Sequence, residues 1–224
     1  MMTAYIDKIS YYLPELSNAL TQSGIMILIS IIAAISIGLP VGTSVYLTKK
    51  SPTKSNRLTG IFLNGYINIV RSFPFLLFVV ALIPFTRLVL GTAFGTYAAS
   101  LPLSFVAVAL YARLVEQVLL EIPNDILELA QSLGSSKTQL IFRFLYVESR
   151  SGLVLALTSV IISMVSYSTV MGVIGGGGIG DFALRYGYQR YEYAVMYTAI
   201  VLMIIFVSFI QISGSWLAKK LNKK

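Results

Sequence analysis

The 224-residue chain contains no cysteine and no histidine. The first absence excludes a disulfide framework and a thiolate metal site, and it leaves the redox compartment open. The second removes the commonest general base and metal ligand. Charge is scarce as well: 12% of residues are charged and 56% are hydrophobic, with a mean hydropathy of +0.80. A soluble domain carries roughly a quarter charged residues, so this composition points to a polytopic membrane protein. No G-x-x-x-x-G-K-[ST] run occurs, so there is no P-loop with which to bind ATP. No pocket of paired acids is evident either. The chain is therefore not expected to be an enzyme, and no cofactor or metal is expected. If the chain takes part in any process driven by ATP, the nucleotide chemistry must sit on another subunit.

What is present is apolar helix. At about 20 residues per crossing, 224 residues leave room for five or six spans and no large extramembrane domain. The expected fold is all-α, a single transmembrane domain over 1–224 with spans near 19–47, 58–83, 94–119, 153–174 and 193–217. Pro40 lies late in the first run as a candidate kink. Residues 1–17 mix Asp7, Lys8, Pro14 and Glu15 with aromatics, which is unlike a removable signal, so the first span is expected to be retained. The net charge of +8 falls in short loops rather than on a nucleic-acid-binding face, so no nucleic-acid partner is expected. Lys49, Lys50, Lys54 and Arg57 follow span one, Lys137, Arg143 and Arg150 precede span four, and Lys219, Lys220, Lys223 and Lys224 close the chain. Five spans place all three groups on one side, against Lys8, Arg87, Arg185 and Arg190 on the other. The positive-inside rule makes the richer side cytoplasmic, with the N-terminus outside and the C-terminus inside.

The longest polar, helix-patterned interval is 122–150, IPNDILELAQSLGSSKTQLIFRFLYVESR. Ile122, Ile126, Leu129 and Leu133 recur at steps of four, three and four, which draws one apolar stripe along a helix. Pro123 and Asp125 suit its first turn, and Gly134 follows the stripe where a left-handed residue is wanted. Ser136 and Gln139 have capping-box spacing, so a second helix is expected to start there and run through Ile141, Phe144 and Leu145. The interval reads as two short helices joined by a tight turn between spans, offering a surface to another molecule.

Other motifs carry more than one reading. Gly175, Gly177 and Gly180 satisfy G-x-G-x-x-G, but after a membrane helix rather than a strand; a flexible external turn, a re-entrant segment or a simple loop fits better than a dinucleotide site. Arg71 lies within a hydrophobic span, where a charge costs about 2.5–3.5 kcal/mol, so it either lines the translocation path or braces the fold, with Pro74 freeing a carbonyl to accept from it. Ser163 and Tyr167, beside Met164 and Met171, fit helix packing or the lining of a path for a small, partly apolar solute. Gly38-x-x-x-Gly42, Gly91-x-x-x-Gly95 and Gly172-x-x-x-Gly176 would permit tight helix contacts.

Glu128-Leu-Ala130 followed by Gly134 and a hydrophobic run resembles the EAA loop of bacterial ABC importer permeases. Arg71-Ser-Phe-Pro-Phe, Ala-Leu-Tyr-Ala-Arg113 and Gly-Gly-Gly-Gly-Ile-Gly-Asp181 with Arg185-Tyr-Gly-Tyr-Gln-Arg190-Tyr extend the resemblance, over nearly the whole chain, to permeases of the methionine uptake family. Two positions depart from the family pattern: Leu129 replaces an alanine, and Tyr146-Val147 replaces a Leu-Pro. The resemblance implies a type I importer permease that forms a homodimer in the bacterial cell membrane. It would assemble with two cytoplasmic ABC ATPase subunits and an extracellular substrate-binding lipoprotein, surrounded by membrane lipid. The transported solute would be D- or L-methionine or a related small amino acid. It further implies that Glu128, Ala130 and Gly134 shape a docking helix whose stripe, Ile126, Leu129 and Leu133, meets the ATPase, and that Arg185 and Arg190 face the binding protein. The competing readings are an ion-gradient-driven secondary transporter, for which Glu116 is the one acidic candidate near a span, and a non-transporting scaffold.

Overall fold

The computed structural model describes residues 2–50 and 54–222, with side chains over 10–50 and 58–222. Lys223 and Lys224, and the side chains of Lys8, Lys54 and Arg57, lie outside the described residues. The chain is helical nearly throughout: α1 (Met2–Ala33), α2 (Leu39–Lys50), α3 (Lys54–Ser72), α4 (Phe75–Leu90), α5 (Thr96–Leu120), α6 (Asn124–Ser132), α7 (Lys137–Gln139), α8 (Tyr146–Val173), α9 (Ile179–Phe182) and α10 (Tyr193–Leu221). Wider π-turns join α1 to α2 (Ala34–Gly38) and α7 to α8 (Leu140–Leu145), and one follows α9 (Ala183–Tyr188).

Four helical stretches are long and apolar enough to cross a membrane: Ser10–Lys50, Thr96–Leu120, Lys137–Val173 and Tyr193–Leu221. A fifth crossing is the pair Leu58–Ser72 and Phe75–Leu90 taken together, which bends by 116°. The break falls where Arg71-Ser-Phe-Pro-Phe interrupts the second expected span. Pro74 lacks an N–H and crowds Phe73 out of the helical region; its own ψ is 128°.

The first span runs past both expected ends. Its 41 residues extend about 60 Å at helical rise, roughly twice the hydrocarbon thickness. Pro40 does not break it. The Leu39 N–H reaches back five residues to the Ala34 carbonyl, and this wide turn makes room for a ring that a regular helix would reject. The fourth span differs from expectation more. The second elbow helix does not end before it: 137–173 is one continuous helix, entered through the π-turn at 140–145.

α5 is the central element, with 67% of its spanning window buried, and α10 is peripheral at 11%. Leu103, Val115 and Leu119 of α5 meet Met26, Tyr46, Val160 and Met164 in one core. Small residues allow α1, α2 and α5 to approach closely. A Cβ at Gly38 would sit 3.0 Å from the Val108 carbonyl, and one at Gly42 would collide with that of Ala112. Gly172 and Gly176 are similarly enclosed, by the Asp181 backbone and by Ala99. Gly91 and Gly95 are different. Both have positive φ (74° and 94°) and open space around them, so they form the α4–α5 turn and not a helix contact.

Contacts sort the ends. At one, Lys49 pairs with Glu116, Lys50 with Asn124, and Arg150 and Ser151 donate to the Leu221 and Ala218 carbonyls that end α10. At the other, Tyr12 packs on Tyr186, Leu16 and Ala19 join Ile179, Phe182 and Val195, and the Gly95 N–H donates to the Gly175 carbonyl.

Candidate functional site

α6 begins at Asn124 because Pro123, in extended geometry (ψ 142°), takes the N-cap position and has no N–H to leave unpaired. Asp125 lies in the first turn, where the helix dipole favours a negative charge. The helix ends in a Schellman motif. Gly134 has φ +64°, its N–H donates to the Gln131 carbonyl at 2.9 Å, and the Ser135 N–H donates to the Ala130 carbonyl at 3.0 Å. Ser136 then opens α7 with a complete capping box. The Gln139 N–H donates to Ser136 Oγ at 3.3 Å, and the Ser136 N–H donates to Gln139 Oε1 at 2.9 Å. Two sharply defined helix ends within three residues make a rigid elbow. Its shape depends on left-handed backbone at one position, with nothing within 4 Å of a Cβ placed there. Gly134→Ala is therefore expected to cost about 1–2 kcal/mol through backbone strain alone. Hydrogen exchange over 124–136 should speed up by about tenfold with the spans unaffected; unchanged exchange would contradict the strain.

The apolar stripe divides. Ile122 is buried, Ile126 is half-buried against the core and Ala130 is fully buried, so this edge of α6 packs on the chain's own spans. Leu129 and Leu133, one turn apart, are 54% and 68% exposed, and Phe142 in the following π-turn is 62% exposed. Glu128 is exposed, and its carbonyl accepts from Ser132 Oγ at 2.9 Å. Phe142 is absent from the sequence-expected surface because Ile141, Phe144 and Leu145 look like the apolar face of a separate helix. In the π-turn those three turn inward to varying degrees, Leu145 completely, and Phe142 is displaced outward against Tyr146, with ring centroids 5.4 Å apart. Tyr146 holds the elbow to the first span through a 2.8 Å hydrogen bond between its hydroxyl and Thr43 Oγ1.

A polar network lies behind the elbow. Glu116, 1% exposed, takes Lys49 Nζ at 2.5 Å on one oxygen and Arg113 Nη1 at 2.6 Å on the other. Arg113 Nη2 donates to Asn68 Oδ1 at 2.6 Å, and Lys50 Nζ to Asn124 Oδ1 at 2.6 Å. By composition and position alone, Lys49 and Lys50 count only as topological charges. The available signal was Glu116 itself, an acid near a span end with Arg113 one helical turn before it.

The other expected site residues do not converge on one place. Arg71 is exposed in the last turn of α3, and no side-chain bond to a freed carbonyl forms there. Tyr167 is half-buried and stacks on Phe75 at 4.3 Å, next to the break. Ser163 lies one turn before Tyr167 and donates to the Ser159 carbonyl at 3.0 Å. Met164 and Met171 are buried in the protomer's own core, 0% and 4% exposed, where they fill space between helices. At the opposite end, Arg185 pairs with Asp181 at 2.9 Å, and the Arg190 guanidinium lies 4.9 Å from the Tyr186 ring centroid. Both arginines are exposed. The glycine-rich run is pinned: the Gly178 N–H donates to Gln22 Oε1 at 2.8 Å and the Ile179 N–H to Ser23 Oγ at 2.9 Å. Those two donors are already used, so they are not free to hold the phosphates of a dinucleotide. An open groove of about 660 Å³ between α8, α9 and α10, lined by Val165, Thr169, Val173, Ile200, Met203 and Ile204 among others, includes none of the expected path residues.

Residues 34–224 match the family model for the binding-protein-dependent transport system inner membrane component. The chain is 37% identical over 209 residues to a probable D-methionine transport system permease protein, MetI, of Vibrio cholerae, covering 93% of each sequence. It is 34% identical over 179 residues to the methionine import system permease protein MetP of Bacillus subtilis, covering 80% of this chain and 81% of that one. Among solved structures, a chain from inward facing conformations of the MetNI methionine ABC transporter is similar with a TM-score of 0.89 at 35% identity, over 95% of this chain and 98% of that one. An amino acid ABC transporter shares the fold alone, with a TM-score of 0.70 at 19% identity over 95% and 94% of the two chains.

Proposed function

Because this chain belongs to the family of inner membrane components of binding-protein-dependent transport systems, we propose that it is the permease subunit of an ATP-driven importer of methionine, D or L, or a related small amino acid. The whole chain, 1–224, acts as one transmembrane domain. Two copies enclose the path, two cytoplasmic ABC ATPase subunits supply the energy, and an extracellular binding protein delivers the solute. ATP hydrolysis occurs on the ATPase subunits alone, so this chain is not itself an enzyme. ATP binding draws the ATPases together and moves the docked elbows, which turns the path from inward-facing to outward-facing. Hydrolysis resets it. The lysine-rich end, with the elbow and the C-terminus, faces the cytoplasm, and the N-terminus lies outside.

The observation that carries this reading is the exposed Leu129–Leu133 knob on α6, with Phe142 exposed on the π-turn that follows, on an elbow stiffened at both helix ends. Three large apolar side chains at the basic end of the spans are what a partner's groove would take up. Glu128, Ala130 and Gly134 shape the knob's support, and Arg185 and Arg190 lie where a binding protein would dock. Arg71 and Tyr167 border the break in the second span, Ser163 lies one turn before Tyr167, and these three remain the residues proposed to line the path. Met164 and Met171 set α8's position from inside. Glu116 argues against the gradient-driven alternative, since a carboxylate clamped by Lys49 and Arg113 is not available to carry a coupling ion.

Purification of the native complex in detergent tests the proposal. A stoichiometric ATPase should copurify, and in proteoliposomes labelled methionine uptake should require ATP inside the compartment holding the ATPases and binding protein on the other side. Uptake by this chain alone under an ion gradient would contradict it.

A further inference from the structure

We infer that Lys49 and Lys50, at the end of the first span, form a two-point clamp that makes the docking helix α6 move as one body with the ends of the first three spans. The inference rests on the importer reading above and concerns how motion leaves the elbow once an ATPase has moved it.

α2 ends on two adjacent lysines whose side chains diverge. Lys49 reaches α5 at Glu116, before the corner of residues 121–123, and Lys50 reaches α6 at Asn124, after it. A single attachment would let α6 swing about that corner. Attachments on both sides of it hold α6 at a set angle to α5. The first of them is backed by burial. Glu116 is 1% exposed, so separating it from its cations would strand a carboxylate away from water, which is strongly unfavourable. The network extends through Arg113 to Asn68, which brings in the second span on the elbow side of its break. Behind the ions, Val45, Ile67 and Ala112, one from each of the three spans, pack in a small apolar cluster. Displacement of α6 by a docked partner therefore has a continuous polar and apolar route into α2, α3 and α5. Lys50 and Asn124 are positioning residues that act by holding α6.

The absence of cysteine from this chain lets thiols be introduced at chosen positions of the permease, tested in the assembled complex with cysteine-free ATPase subunits. In the Lys50→Cys/Asn124→Cys variant, a short bifunctional thiol reagent would replace the hydrogen bond by a covalent bridge. Parts that move together tolerate such a bridge, so cross-linking should raise solute taken up per ATP hydrolysed from the lowered ratio of the uncross-linked variant to within about twofold of the unsubstituted complex. In the converse experiment, Lys50→Ala/Asn124→Ala should lower solute taken up per ATP hydrolysed by at least threefold, while the complex still copurifies; Lys50→Arg should restore the ratio. A merely structural pair would change the yield of complex and leave that ratio alone. Uptake abolished by the bridge, or an unchanged ratio in the alanine variant, would overturn the clamp while leaving the importer reading intact. If the unmodified complex showed no ATP-dependent uptake at all, both readings would fail together.

Discussion

Leu133→Asp, alone and more so with Leu129→Asp, is expected to release the ATPase subunits from the purified complex and to lower ATP-driven uptake by at least thirtyfold. Leu133 is 68% exposed and Leu129 54%, so neither supports the fold of the isolated chain and neither substitution should prevent membrane insertion. In the complex the same atoms are proposed to enter an apolar groove. Burying one leucine contributes about 1.5–3 kcal/mol, and a carboxylate in its place adds a desolvation cost that no partner offsets. Each 1.4 kcal/mol is tenfold in affinity, and a homodimer presents the knob twice. Copurification measured beside uptake separates loss of docking from loss of the permease. Full retention of the ATPase by the double variant would show that the knob is not the contact.

Gly180→Leu should have the opposite signature, with little folded protein recovered and hence no assay of coupling at all. A Cβ at 180 would collide with the Thr169 carbonyl group, and one at Gly172 with the backbone of Asp181. The two glycines thus let α8 and α9 press backbone against backbone. Overpacking usually costs about 1–3 kcal/mol when neighbouring side chains can give way; here the obstructing atoms are main chain, and the segment is also tied to α1 through Gln22 and Ser23. Gly24→Ala is the control, since nothing lies within 4 Å of a Cβ there and helical alanine is favoured over glycine. Melting temperature in detergent should fall steeply for the first variant and hold or rise for the second. A Gly180→Leu protein that folds and melts normally would contradict the packing described.

Some of this architecture is legible in the sequence because the responsible physics is local. A proline after an arginine-bearing run marks the broken span, a glycine past an apolar stripe marks a left-handed helix end, and S-x-x-Q marks a capping box. Each depends on residues within one or two turns. The features that were not legible depend on partners distant in sequence. Gly178 and Ile179 are satisfied by side chains 156 residues away. The inward turn of Met164 and Met171 depends on where α1 and α5 pack. The unbroken run from 137 to 173 includes Val147, where the family pattern named above has a proline, and valine keeps the N–H that a continuing helix needs. Gly91 and Gly95 share a spacing with true packing glycines, and spacing alone cannot tell a turn from a contact. In the sequence Lys49 and Lys50 register only as charges, and a charge count has no term for the single buried carboxylate that Lys49 answers.

The central claim is that the elbow carries force from an ATPase on another polypeptide. The most direct measurement is a cross-link from a single cysteine at Leu133→Cys, the only thiol this chain would then contain, in intact membranes bearing the whole complex. The account predicts one major adduct, of permease with ATPase, together with protection of that thiol from impermeant maleimide added outside the cells. A thiol labelled from outside, or one that yields no adduct in a complex that is actively transporting, would contradict it.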